Sequence, residues 1–385
     1  LSPIKVVIVD DSAFMRKVIG DLLEGDPEIK VIGKGRNGKE AVQLVEKLQP
    51  DLVTLDIEMP VMNGLEALEA IMENHPVPVL MLSSLTKQGA SETIRALEIG
   101  AVDFISKPSG SISLDIHKIS SDIIAKVKAA SRVNVSRLRS SPKVSDAPRL
   151  VHQGSISAAR SMMDKAKTKA DAETPVMRTY EARKGSGGFS HEKTGNLIAI
   201  GTSTGGPKAL QVVLREIPGN FDGTIAIVQH MPPGFTRSLA QRLDSLCEIR
   251  VVEAEDNQVL EKGTAYIAPG NYHMEIKEKA DGQLCVSLNQ SEPRGGHRPS
   301  VDTLFESVAK LKQPSKYAVI MTGMGSDGTY GLRRLKETGV QSIIAEDEST
   351  CVVFGMPRAA IQSGVVDYVA PLHDIAKLLV RCLNR

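Results

Sequence analysis

The sequence predicts an α/β protein of two domains, each built on a largely parallel sheet, and three observations carry that expectation. Short aliphatic and β-branched runs alternate with amphipathic helical patterns in the first third of the chain, and again from residue 197 onward. Between them, residues 131–193 are rich in Ser, Lys, Arg, Ala and Gly and poor in large apolar side chains. A chain of 385 residues is also too long for one typical hydrophobic core.

Taken in order, Ile4 to Val9 reads as a buried strand ending in Asp10-Asp11. A helix is expected from Ser12 to Leu23, with Ser12 as its cap and Phe14, Val18, Ile19, Leu22 and Leu23 on its apolar face. Val31-Ile32 is a second strand and Ala41 to Leu48 a second helix. Leu52 to Leu55 is a third strand, ending at Asp56. Val79 to Leu82 ends at Ser83, and Asp103 to Ser106 ends at Lys107-Pro108. Such alternation implies parallel strands with helices on both faces.

Residues 131–193 are expected to be a linker, flexible around Gly185-Ser186-Gly187-Gly188, with room for a solvent-exposed helix at Ala158 to Ala172. Strands then resume at Leu197–Gly201, Thr224–Val228, Ala265–Ala268, Tyr317–Met321, Val340–Ala345 and Val365–Val369. Helical segments Pro207–Leu214, Ser300–Leu311 and Gly331–Thr338 lie between them. His273 to Val286 reads as an antiparallel hairpin turning at Asp281-Gly282.

Composition narrows the function classes. The formal net charge is +1, Trp is absent and aromatics are scarce, so nucleic-acid binding is not expected. The four cysteines show no CxxC spacing, and no signal peptide or membrane-length apolar run is present. A cytoplasmic protein with free thiols and no membrane insertion is the expectation, and a monomer.

Ligand sites in open parallel sheets collect at the carboxyl ends of strands. Asp10, Asp11, Asp56, Ser83 and Lys107 all fall at such ends. Any one of these aspartates alone fits a helix cap. Three carboxylates together need a cation, and hard oxygen donors of this kind suit Mg²⁺. Lys107 adds a positive charge, the Ser83 hydroxyl can donate to a phosphoryl oxygen, and an aspartate can accept a phosphoryl group as an acyl phosphate. The first domain therefore reads as phosphorylatable.

In the second domain, Gly201-Thr202-Ser203-Thr204-Gly205-Gly206-Pro207 follows a strand and opens a helix. Two functions fit that turn: a phosphate or dinucleotide cradle, and a sharp elbow presenting a nucleophilic serine. The spacing is neither GxGxxG nor a GK[ST] loop, and the second strand is followed by Gln229-His230 in place of a ribose-binding acid. His230 stands where a general base reaches Ser203. Asp327, after the strand Tyr317–Met321, stands where it orients the imidazole. Singly, the three read as a helix cap, a structural histidine and a turn aspartate; together they read as an acyl-transfer triad.

The motifs then carry a resemblance. Val-Asp-Asp-Ser, Leu-Asp-Ile-Glu-Met-Pro-Val-Met-Asn-Gly and Lys-Pro make residues 1–130 similar to a response-regulator receiver. Ile-Gly-Thr-Ser-Thr-Gly-Gly, Gln-His-Met-Pro-Pro-Gly-Phe-Thr, Tyr-Ile-Ala-Pro-Gly, His-Arg-Pro-Ser-Val-Asp, Thr-Gly-Met-Gly-Ser-Asp-Gly and Cys-Val-Val-Phe-Gly-Met-Pro make residues 194–385 resemble the CheB protein-glutamate methylesterases. Thr202 departs from the Ala common in that family, leaving Ser203 in register. The resemblance implies a CheY-like (βα)5 receiver joined to a Rossmann-like, mostly parallel α/β methylesterase domain.

It further implies Asp56 as phospho-acceptor, with Asp10, Asp11 and Asp56 holding Mg²⁺. Ser83, Phe104 and Lys107 would be the receiver's switch residues. Ser203, His230 and Asp327 would be catalytic, with backbone N–H groups near Thr204 and Met324 as the oxyanion site. Esterase chemistry would need no cofactor. The implied partners are a chemotaxis histidine kinase and the cytoplasmic helices of methyl-accepting chemoreceptors, with hydrolysis of glutamate methyl esters, deamidation of glutamine and phosphorylation as the switch. Arg294, His297 and Arg298 read equally well as receptor-binding groups or as a solvated turn.

Overall fold

The structure, a computed structural model, describes residues 2–107, 116–135, 149–150 and 195–383, with backbone alone at 116–120 and 149–150. The first domain holds a five-stranded sheet in the order β2-β1-β3-β4-β5, all parallel. Its strands are β1 (Ile4–Val9), β2 (Ile29–Gly35), β3 (Leu52–Asp56), β4 (Val79–Ser83) and β5 (Asp103–Ser106). Helices α1 (Ala13–Glu24), α2 (Gly38–Leu48), α3 (Gly64–Asn74), α4 (Lys87–Ile99) and α5 (Ile116–Ala130) connect and follow them. Every side chain of β3 and β4 is buried, as parallel strands covered on both faces require.

Helix boundaries follow capping chemistry. Ser12 accepts from the Met15 N–H, and Asn63 with Glu66 closes a reciprocal capping box on α3. One expectation for α1 fails: Phe14 is exposed rather than packed against the core. It sits in the first turn, beyond the strand ends, where no layer covers it.

The second domain holds an eight-stranded sheet, β6-β15-β14-β13-β7-β8-β10-β9, parallel except where β6 (Arg149–Leu150) runs antiparallel to β15 (Tyr368–Ala370). The remaining strands are β7 (Asn196–Thr202), β8 (Thr224–Gln229), β9 (Arg250–Glu253), β10 (Thr264–Ile267), β13 (Ser315–Ile320) and β14 (Ser342–Glu346). Chain order runs outward from β7 on one side and restarts at β13 on the other, which leaves a crevice at the ends of β7 and β13.

Helices α6 (Gly206–Arg215), α7 (Phe235–Asp244), α8 (Val301–Ala309), α9 (Thr329–Glu337), α10 (Met356–Gln362) and α11 (Leu372–Leu383) cover this sheet. The expected hairpin is present as β11 (His273–Glu278) and β12 (Leu284–Asn289), with Gly282 at positive φ in its turn. Strand alternation divides the core. Ile198 and Ile200 face a cluster continuous with the first domain, while Leu197 and Ala199 face the opposite one.

Most of the expected linker, including the helix anticipated at 158–172, lies outside the described residues. Its described parts belong to the fold: Val133 and Val135 are buried, and 149–150 add an edge strand. The four cysteines form no disulfide, as expected. No helix of the described residues is long and apolar enough to cross a membrane.

Candidate active site and phosphoryl-acceptor site

Three neighbouring strand ends build the first constellation. β7 lies between β13 and β8, so the turns after these strands face one crevice. Ser203 leaves β7 on a turn that only glycine completes. Gly205 has φ +80, and a Cβ there would meet the Val352 side chain at 2.5 Å. The Ser203 N–H donates to the Thr322 carbonyl at 3.0 Å, and the Gln229 amide donates to the Ser203 carbonyl at 2.9 Å. The Ser203 backbone is thus tied to the chain on both sides.

His230 Nδ1 lies 3.2 Å from Ser203 Oγ, and His230 Nε2 lies 2.8 Å from Asp327 Oδ2. An ionised carboxylate only accepts, so Nε2 carries the proton toward Asp327 and Nδ1 keeps a lone pair for the serine hydroxyl. Asp327 is held from its other side by the first turn of α8. Ser300 Oγ donates to it at 2.9 Å, and the N–H groups of Val301 and Asp302 donate at 2.7 and 3.0 Å. Burial pushes this carboxyl up, but the hydrogen bond from His230, the attraction of that ring when it is protonated, and the two N–H donors prevail, leaving it at about 2.

His297 stacks on His230 with ring centroids 3.9 Å apart and planes 9° from parallel. Burial, the charge of His230 and that of Lys126 push it down to about 4 against the opposing pull of Asp327. It faces His230 as a neutral ring near pH 7. Both arginines of this turn are occupied. Arg294 makes a bidentate pair with Glu306, and Arg298 donates to Asn271 and to the carbonyls of Gln290 and Ser291.

Thr204 and Met324 flank the serine. Their backbone N–H groups meet no acceptor among the described residues. The approach around them is close: a Cβ on Gly323 would stand 2.8 Å from Ser203 Cβ.

At the end of the other sheet, Asp10, Asp11 and Asp56 present carboxylate oxygens within 4.8 Å of one another. β1 and β3 are neighbours there, at the reversal of strand order. Lys107 Nζ lies 2.9 Å from Asp10 and 2.6 Å from Asp56. Burial, then the negative charges of Asp10 and Asp11, push Asp56 up to about 6, with Lys107 pulling against them. The Oδ2 atoms of Asp10 and Asp56 are buried with no partner of good hydrogen-bond geometry. Three carboxylates that share one ammonium keep an excess of negative charge and fit a hard divalent cation.

Ser83 ends β4 as expected, but its hydroxyl turns to α4. It lies 3.2 Å from the Gly89 carbonyl and accepts from Thr93 at 2.7 Å. Phe104 is buried and stacks on Phe235 of α7 at 4.5 Å. Lys126 donates to the Phe104 carbonyl at 2.8 Å.

Sequence reasoning missed three participants. Ser300 holds Asp327; the Ser-Val-Asp after a proline was a readable cap signal. Asp103 accepts from Thr204 Oγ1 at 2.7 Å across the two domains. Glu98 pairs with Arg242 at 2.6 and 3.0 Å across the same boundary. No local motif announces either contact.

Comparison with known proteins identifies both domains. Residues 6–117 match the response regulator receiver domain, and residues 198–379 match the CheB methylesterase. A protein-glutamate methylesterase/protein-glutamine glutaminase of Geobacillus kaustophilus is 50% identical, with both chains covered in full. One of Halalkalibacterium halodurans is 49% identical over 100% of this chain and 99% of that one. Among solved structures, the Thermotoga maritima CheB methylesterase catalytic domain is 45% identical over 49% of this chain and 98% of that one, with a TM-score of 0.47. Full-length identity of this degree, with the receiver ahead of the esterase module, means that this chain belongs to the protein-glutamate methylesterase/protein-glutamine glutaminase family of receiver-fused CheB enzymes.

Proposed function

We propose that this chain hydrolyses glutamate methyl esters, and deamidates glutamines, on the cytoplasmic helices of chemoreceptors, with Ser203 as nucleophile and a phosphoryl group on Asp56 as the activating signal. The observation that carries it is the continuous Ser203–His230–Asp327 hydrogen-bond chain.

Ser203 Oγ attacks the ester carbonyl while His230 Nδ1 takes its proton. As the tetrahedral intermediate collapses, the imidazolium protonates the leaving methoxide oxygen, and methanol departs from the acyl-enzyme. Water, deprotonated by the same nitrogen, releases the carboxylate. Asp327 holds the tautomer throughout and stabilises the imidazolium. The free N–H groups of Thr204 and Met324 are the oxyanion donors in this scheme. Glutamine follows the same path with ammonia as leaving group, and no metal takes part.

In the receiver, assigned to residues 1–130, Asp10, Asp11 and Asp56 would hold Mg²⁺, which neutralises charge during phosphoryl transfer from a chemotaxis histidine kinase. Lys107 supplies the second cation, and Ser83 and Phe104 are the switch residues. Residues 131–193 are taken as the connection and 194–385 as the catalytic domain. The protein works in the cytoplasm as a monomer. The Asp103–Thr204, Phe104–Phe235 and Glu98–Arg242 contacts support a receiver that restrains the Ser203 crevice until Asp56 is phosphorylated.

Methanol release from methylated receptor membranes tests the reading. Wild type should release it, Ser203→Ala should not, and a small-molecule phosphodonor should accelerate wild type but not Asp56→Asn. Release by Ser203→Ala at the wild-type rate would overturn the assignment of the nucleophile.

A further inference from the structure

Glu346 ends β14 with no exposed surface, and its carboxyl has no counter-cation among the described residues. Its Oε2 accepts the Thr322 N–H at 2.8 Å, and its Oε1 accepts the Thr350 hydroxyl at 3.0 Å. Asp347 adds a like charge beside it, and Cys351 Sγ lies 3.9 Å from its carbonyl. Burying a carboxyl this completely is unfavourable unless its oxygens are well used.

Thr322 is where that use shows. Its carbonyl accepts the Ser203 N–H at 3.0 Å and the Thr202 hydroxyl at 3.0 Å. Its own hydroxyl donates to the Thr204 carbonyl at 2.9 Å and accepts the Val353 N–H at 3.0 Å. One residue therefore grips the chain before, at and after the nucleophile, and Glu346 grips that residue. We propose that Glu346 is a positioning residue for catalysis: through Thr322 it fixes the backbone of Thr202, Ser203 and Thr204, and with it the aim of the nucleophile and of the Thr204 N–H. This rests on Ser203 acting as nucleophile.

Geometry separates the role of the carboxyl's reach from that of its charge. Glu346→Gln keeps an acceptor at the same reach and removes the charge. Glu346→Asp keeps the charge and withdraws it by one methylene. Burial pushes Glu346 up to about 7 against the pull of the Thr322 N–H and the Thr350 and Cys351 donors, so the neutral form is already compatible with this site. A positioning role accordingly predicts rescue by Gln.

The experiment measures methanol release by the full chain, activated by phosphodonor, for wild type, Glu346→Gln, Glu346→Asp and Ser203→Ala. Glu346→Gln should keep kcat within about threefold of wild type, while Glu346→Asp should lose about thirtyfold or more in kcat with KM nearly unchanged. Should Glu346→Asp fail to fold, Thr322→Val provides the second reading, because it cuts the links to Thr204 and Val353 while leaving Glu346 in place; its kcat should fall at least tenfold. Wild-type kcat in folded Glu346→Asp, or in Thr322→Val, would overturn the proposal, as would equal losses in the Gln and Asp variants. A wild type no more active than Ser203→Ala would instead overturn the assigned nucleophile.

Discussion

Asp103 accepts a hydrogen bond from Thr204 Oγ1 at 2.7 Å, which places a receiver carboxylate one residue from Ser203. Thr204 is buried, and Lys126 lies 3.4 Å from the same carboxylate. Removing the acceptor leaves the Thr204 hydroxyl free while Ser203, His230, Asp327 and Asp56 keep their contacts. Asp103→Ala should therefore raise methanol release by the unphosphorylated chain. A net hydrogen bond of about 1 kcal/mol corresponds to about fivefold. An unchanged basal rate would show that this contact does not restrain the crevice.

Asp327 bears a stability prediction as well as a catalytic one. Its carboxyl is held at about 2 against an ordinary 3.8. A lowered carboxyl stabilises the fold above the unfolded value, and that contribution disappears as pH falls through 2. The magnitude is about 2 kcal/mol. Acid titration of Asp327→Asn, followed by circular dichroism, should lose the pH dependence between 4 and 2 that wild type has. Its kcat should fall roughly a thousandfold or more, because Asn fails to hold the tautomer.

The acidic cluster predicts metal binding coupled to pH. Burial and its acidic neighbours place Asp56 at about 6, so below that pH the group must lose a proton to ligate a cation. Mg²⁺ affinity by isothermal titration calorimetry should be level above pH 7 and weaken toward about tenfold per pH unit below 6. Asp10→Asn should weaken it at every pH.

Gly323 tests how tightly the serine is enclosed. A methyl group there would stand 2.8 Å from Ser203 Cβ and would also meet the Met356 sulfur. Gly323→Ala should fold, since the residue has no positive φ, yet displace the serine. A shift of about 1 Å would lower kcat on the order of a hundredfold. Steady-state methanol release together with a thermal melt distinguishes this from unfolding.

The regular elements were legible because aliphatic runs mark buried parallel strands, and Asp10, Asp56, Ser83 and Ser203 sit where such runs stop. Asp56 and Ser203 followed from that rule. The partners that act across the fold did not. Asp103 lies inside a strand pattern and reads as an ordinary edge residue until Thr204 is set against it. Glu346 closes a strand one position before another acid, Asp347, and nothing local distinguishes the buried one. Ser83 was assigned by position, and its side chain instead joins α4 through Thr93. Phe14 shows the converse: the helical period was right, but the period does not say where the covering layer ends.

The short strand β6 changes what connects the two sheets. Arg149 and Leu150 pair with Val369 and Tyr368, so the chain is anchored to the second sheet long before β7 begins. Along the chain, the stretch from the last described residue of the first domain to β6 is then the thirteen residues 136–148, not the sixty or so suggested by composition. Were phosphorylation of Asp56 to part the contacts at Asp103, Phe104 and Glu98, as proposed, the parted domains would remain one molecule, and the activated fraction should not change with dilution of the enzyme.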